Sequence, residues 1–71
     1  MNIELNGETF VPEANVSNVL TLLESLGIPS TKVAVERNLE IVPKTAYGET
    51  PLSDGDKFEI VHFIGGGSQE A

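Results

Sequence analysis

Val16-Ser17-Asn18-Val19-Leu20-Thr21-Leu22-Leu23-Glu24-Ser25-Leu26-Gly27 is the stretch on which the fold turns. Val16, Val19, Leu20, Leu22, Leu23 and Leu26 recur at spacings of three and four, so a helix here presents one apolar stripe. Asn15, Ser17 and Asn18 are all competent to cap its start. Gly27 is placed for the left-handed residue just past its end, and Pro29 follows shortly after. No other segment reads convincingly as a helix, and a single amphipathic helix must bury its stripe against one face of a sheet.

The strands of that sheet lie on either side. Before the helix, Ile3 and Leu5 alternate with Glu4, Asn6-Gly7 interrupts, and Thr9-Phe10-Val11 resumes a β-rich run that Pro12 closes. Asn-Gly between two such runs predicts a hairpin with a type I′ turn, which needs positive φ at both central residues. After the helix, Lys32-Val33-Ala34-Val35-Glu36 has the β-branched content of a buried strand. Arg37-Asn38 reads as a turn, and Leu39-Glu40-Ile41-Val42 as a short strand closed by Pro43. Residues 44–50 read as irregular, anchored by Tyr47 and broken by Gly48. Leu52-Ser53-Asp54-Gly55-Asp56 forms a tight turn into a last strand, Phe58 to Ile64. The predicted class is α+β: a mixed sheet of four to five strands on one helix, with the first and last strands central and parallel to each other. That is a β-grasp domain over residues 1–64, followed by a flexible glycine tail, 65–71.

Composition narrows the function classes. With no cysteine, neither a disulfide framework nor a Cys-based metal site supplements the core. Four basic residues, Lys32, Arg37, Lys44 and Lys57, face eleven acidic ones, for a net charge of −7. That balance argues against nucleic acid and against an anionic membrane surface, and favours steering towards a basic protein partner. Met1 leads directly into the first alternating strand without a basic and then apolar leader, and no apolar run approaches the length of a membrane span, so a cytoplasmic location is expected.

The inventory for catalysis is thin. His62 is the one histidine and reads as a plain surface residue on the last strand. Asp54-Gly55-Asp56 is too short for a calcium loop and is explained by turn geometry. Gly65-Gly66-Gly67 is no phosphate loop, because neither a helix nor a lysine follows it. The chain is therefore not expected to be an enzyme or to hold a cofactor or metal. What stands out is the last strand. If Phe58 and Ile60 point inward, then Glu59, Val61 and Phe63 face out by the period-two rule, and the outward Val and Phe form a candidate docking patch. Three glycines follow, a backbone able to thread a narrow slot and to reach on the order of 10 Å beyond the sheet.

Val33-Ala34-Val35-Glu36-Arg37-Asn38, then Glu40-Ile41-Val42-Pro43, then Leu52 with Asp54-Gly55-Asp56, then Glu59-Ile60-Val61 and Phe63-Ile64-Gly65-Gly66-Gly67 occur in an order and spacing that resembles the ThiS family of ubiquitin-like sulfur carriers. The opening Asn2-Ile3 with Asn6-Gly7-Glu8 is similar too, and the MoaD carriers of molybdopterin synthesis are more distant relatives of the same fold. The resemblance implies a protein co-substrate. A ThiF-type, E1-like adenylyltransferase uses ATP to activate the terminal glycine carboxylate, a persulfide donor converts it to a thiocarboxylate, and a ThiG-type thiazole synthase takes the sulfur for thiamine biosynthesis. Carried over by position, Gly66 and Gly67 are the functional pair, with Gly67 bearing sulfur. Val61, Phe63, Ile64 and Gly65 match the region that meets the enzymes.

Members of the family usually stop at the glycines, whereas Ser68-Gln69-Glu70-Ala71 follow here. A precursor trimmed after Gly67, by a JAMM-type processing peptidase, is the reading this implies. Tailed carriers also resemble those that feed sulfur to cysteine, homocysteine or siderophore synthesis. Two other classes remain open at this point: a β-grasp binding module that docks through its last strand without terminal chemistry, and a ubiquitin-like modifier joined to lysines.

Overall fold

The computed structural model describes residues 1–63; Ile64, Gly65, Gly66, Gly67 and residues 68–71 lie outside the described residues. Asn6 and Gly7 hold φ of 50° and 85° and join β1 (Ile3–Leu5) to β2 (Glu8–Phe10), with Leu5 opposite Glu8. This is the two-residue hairpin the Asn-Gly pair predicts. β2 stops one residue earlier than the apolar run, and Val11 is exposed.

The helix, α1 (Val19–Ser25), is shorter than its apolar stripe. Val16 is buried but precedes it, because Asn18 is extended (φ −147°, ψ 177°) and Ser17 O accepts the Leu52 N–H at 3.2 Å. Of the three candidate caps the structure uses Asn18. Its Oδ1 accepts the Thr21 N–H at 2.8 Å, and Thr21 Oγ1 accepts the Asn18 N–H at 3.0 Å. That is a capping box with Thr in the usual Glu or Gln position. The next two orphan donors of the first turn, Val19 and Leu20 N–H, are met by Thr50 O and Tyr47 O, both at 3.0 Å. At the other end Gly27 takes φ 72°, with Gly27 N–H on Glu24 O and Ile28 N–H on Leu23 O, a Schellman motif.

β3 (Val33–Arg37) and β4 (Glu40–Val42) form a second hairpin, and β5 (Lys57–His62) is the last strand. The sheet order is β2-β1-β5-β3-β4, with β1 and β5 parallel and the remaining pairs antiparallel. β5 is thus the middle strand, and α1 covers one face, which is the β-grasp arrangement. Ile3, Val33, Val35, Val42, Phe58 and Ile60 point to the helix and bury with Val16, Val19, Leu22 and Leu23. The segment expected to be irregular contains a 3-10 turn, Lys44–Ala46, and Tyr47 is its anchor, buried with its hydroxyl donating to Val33 O at 3.2 Å.

One turn departs from the sequence expectation, and another is a turn as expected with a further role. The β3–β4 turn lies at Asn38–Leu39, not Arg37–Asn38, and both residues take positive φ. The Asp54-Gly55-Asp56 turn does more than reverse the chain. Asp56 is buried, accepting from Arg37 Nε at 2.9 Å, Asn38 Nδ2 at 3.1 Å and Ser53 N–H at 2.9 Å. Burial alone pushes this carboxyl up, but the hydrogen bonds from Asn38, Arg37 and Ser53, with the Arg37 charge, outweigh it and hold it below the usual aspartate range. A depressed folded value means the contribution is complete above the unfolded pKa and is lost as pH falls through the folded one. Urea titrations should therefore show stability falling below about pH 4, and falling less in Asp56→Asn. Asp56→Ala, which strands three donors beside a half-exposed Arg37, should cost about 2 kcal/mol at neutral pH.

Candidate functional site: the root of the glycine tail

The sequence places its candidate chemistry on the segment that follows β5, so the site begins with what holds that strand. On its β1 side, Glu4 N–H donates to Asp56 O at 2.8 Å and Asn6 N–H to Phe58 O at 2.9 Å. There β1 ends, and the Asn6 side chain takes over: Oδ1 accepts Ile60 N–H at 2.7 Å while Nδ2 donates to Ile60 O at 3.3 Å. A primary amide sets an N–H donor beside a carbonyl acceptor, as a backbone residue does, so it stands in for one further residue of neighbouring strand. On the β3 side, pairing runs from Arg37↔Phe58 to Val33↔His62 and continues one bond further, Phe63 N–H to Lys32 O at 3.0 Å. β5 ends at His62 rather than Ile64 because β3 begins at Val33, preceded by the 3-10 turn Ser30–Lys32.

The alternation predicted for β5 is present. Phe58 and Ile60 are buried, while Val61 and Phe63 are 57% and 55% exposed. His62 is exposed, beside Val33 on the neighbouring strand. The Phe63 ring is covered on one side by Lys44, whose Nζ lies 4.7 Å from the ring centroid and donates to Thr31 O at 3.0 Å. Lys44 and the second role of Asn6 are contributions the sequence reading missed. Nothing in the spacing of Lys44 and Phe63 signals their meeting, whereas the Asn-Gly hairpin does at least place Asn6 beside the last strand. Of the predicted site residues, Val61 and Phe63 lie on the outer side of the strand end, and Ile64, Gly65, Gly66 and Gly67 lie outside the described residues.

Among the described residues no three His, Cys, Asp or Glu side chains come together as a metal site, and no helix is long and apolar enough to cross a membrane. What the geometry offers is a strand end tied on its β1 side as far as Ile60 and on its β3 side as far as Phe63, the last described residue, with exposed Val61 and Phe63 beside it.

A model of the ThiS family matches residues 2–67. The chain belongs to the ThiS family. The match spans the described fold and the three glycines, and stops where residues 68–71 begin. Sulfur carrier protein ThiS of Bacillus subtilis is 42% identical over 65 residues, covering 92% of this chain and 98% of that one. The crystal structure of the thiamine biosynthesis protein ThiS from Geobacter metallireducens superposes with a TM-score of 0.80 at 36% identity, covering 94% of this chain and all of that one. A thiazole synthase of Paramagnetospirillum magneticum is 55% identical over 74 residues, covering all of this chain and 22% of the relative. The chain spans about a fifth of the length of the thiazole synthases it matches.

Proposed function

We propose that this ThiS-family chain is a sulfur carrier for thiamine biosynthesis, working in the cytoplasm as a protein co-substrate through the carboxylate of Gly67. The observation that carries the reading is the ThiS match, which runs through the strand end and finishes on that glycine. A carboxylate is a poor electrophile, so it must first be activated. An oxygen of the Gly67 carboxylate attacks the α-phosphorus of ATP on a ThiF-type adenylyltransferase, and pyrophosphate leaves. A persulfide sulfur then attacks the acyl-adenylate carbon and AMP departs. Reduction of the resulting S–S bond by a thiol leaves a thiocarboxylate on the main chain. That sulfur is nucleophilic and ionised at neutral pH, so a chain without cysteine carries it.

Within this reading the described residues bind and aim. Asn6, Lys32 and the β3 ladder hold the strand straight, and Val61 and Phe63 meet the partner; beyond the described residues, Gly65 and Gly66 thread its active site. The thiazole synthases that contain a region similar to this chain support a ThiG-type acceptor for the sulfur. Because adenylation needs a free acid, the peptide bond after Gly67 is hydrolysed first, by a processing peptidase. The test is intact-mass analysis of the protein recovered from its host during thiamine starvation. The expected species ends at Gly67, with a fraction carrying sulfur in place of one oxygen. Unmodified chain with residues 68–71 still attached, under starvation, overturns the proposal.

A further inference from the structure

The two hairpins of this chain use the same two-residue loop with different residues. In β1–β2 the loop is Asn6-Gly7, at φ 50° and 85°; in β3–β4 it is Asn38-Leu39, at φ 52° and 73°. Glycine adopts the second conformation freely, whereas a leucine there is strained by its Cβ. Strain of this kind persists where something compensates, yet Leu39 is 88% exposed and gains no packing in the free protein. Both its backbone and its side chain are placed against stability.

Leu39 is not isolated. Ile41, two residues on, is 65% exposed and lies opposite Glu36 on the outer face of the sheet. Glu36 in turn stands opposite Glu59, a like-charge cross-strand pair, and Glu40 flanks the turn. The ion pair of Arg37 with Asp56 is the one formed among the described residues, so these three acids have no cation in ion-pair range there. Lys57 stands beside the turn, its N–H on Asn38 Oδ1 at 3.0 Å, but three acids outnumber it and it forms no ion pair with them. This apolar projection therefore fits an apolar pocket with a basic rim. A second copy of the chain would bring acid against acid and does not fit.

We infer that Leu39, with Ile41, is a docking anchor for the adenylating enzyme, at the end of the sheet opposite the tail; this rests on the function proposed above. Leu39 follows the strand end that pairs with Phe58, whereas the tail leaves beyond His62. Phe58 and His62 are about 13 Å apart along β5. Contact at both fixes the direction in which the tail enters the partner. Before activation the terminus is an ordinary carboxylate, so the enzyme that charges it must recognise the folded body.

The test uses Leu39→Gly, which removes the strain and the side chain together, and Leu39→Ala, which removes the side chain and keeps the strain. Val11→Ser, an exposed apolar residue at the end of β2, is the control. The full chain and the chain ending at Gly67 are titrated with the ThiF-type adenylyltransferase, and ATP-dependent charging of the shorter form gives kcat and KM. Leu39→Gly should raise the melting temperature by about 4 °C while weakening binding and raising KM about tenfold at unchanged kcat. Leu39→Ala should weaken binding equally without stabilising, and Val11→Ser should bind as the parent does. Unchanged affinity in both Leu39 variants overturns the inference, as does a lowered melting temperature in Leu39→Gly. A parent chain that is neither bound nor charged overturns the proposed function as well, so the two failures are distinguishable.

Discussion

A chain whose Gly67 carboxylate is blocked, by residues 68–71 or by a terminal amide, will take up no sulfur, while the same chain ending in free Gly67 will be charged. The expected effect is all or none, because the nucleophile is the carboxylate oxygen itself and an amide at that position offers neither the charge nor the leaving group the two steps require. Incubation with the ThiF-type enzyme, ATP and a persulfide donor, read by intact mass, checks it. Gly67→Pro and deletion of Gly66 should abolish charging with no change in melting temperature, since among the described residues the buried core runs from Ile3 to Ile60. Charging of either variant at the parental rate would move the functional terminus elsewhere. Activity lost together with the melting transition would instead mean that the tail belongs to the fold.

Phe58→Ala should come close to unfolding the protein. Phe58 is the largest of the fully buried side chains, near the start of the middle strand, and its carbonyl accepts the Asn6 N–H. Deleting a buried phenylalanine costs about 4 kcal/mol, transfer and cavity terms together. A domain of this size has about 4–10 kcal/mol in all. Urea unfolding should show most of the stability gone, whereas Phe63→Ala, at an exposed ring, should stay within about 0.5 kcal/mol of the parent. The contrast separates a phenylalanine buried in β5 from the exposed one just past its end.

Much of this architecture was legible in the sequence because the punctuating residues have narrow physical meanings. Asn6-Gly7 named a turn type, Gly27 with Pro29 marked a helix end, and the alternation of Phe58, Ile60, Val61 and Phe63 sorted one strand into two faces. The helix start was less legible: Val16 keeps the periodicity of the stripe, but Ser17 and Asn18 bond to a segment 30 and more residues away. The second hairpin turn was placed one residue early because leucine is a poor candidate for positive φ, and local propensity gives no hint that Leu39 adopts it. Asp56 and Asn6 were read for their turns alone. Their further roles, binding Arg37 and replacing a residue of strand, depend on partners 19 and 54 residues away in the chain. At the site, Val61 and Phe63 were identifiable from period two, whereas Lys44 over Phe63 is a tertiary coincidence without a sequence signal.

The placement of β5 has a consequence for when the carrier becomes usable. Each hairpin forms between near neighbours, but they join into one sheet only when the final strand slots between them, closing contacts such as Asn6 to Ile60 across 54 residues. Any chain broken or misfolded before that moment still contains the glycines, but nothing grips the strand that aims them. Completion of folding and presentation of the terminus are therefore a single event, and under the proposed function an activating enzyme that recognises the assembled body would proofread its substrate without a separate checking step.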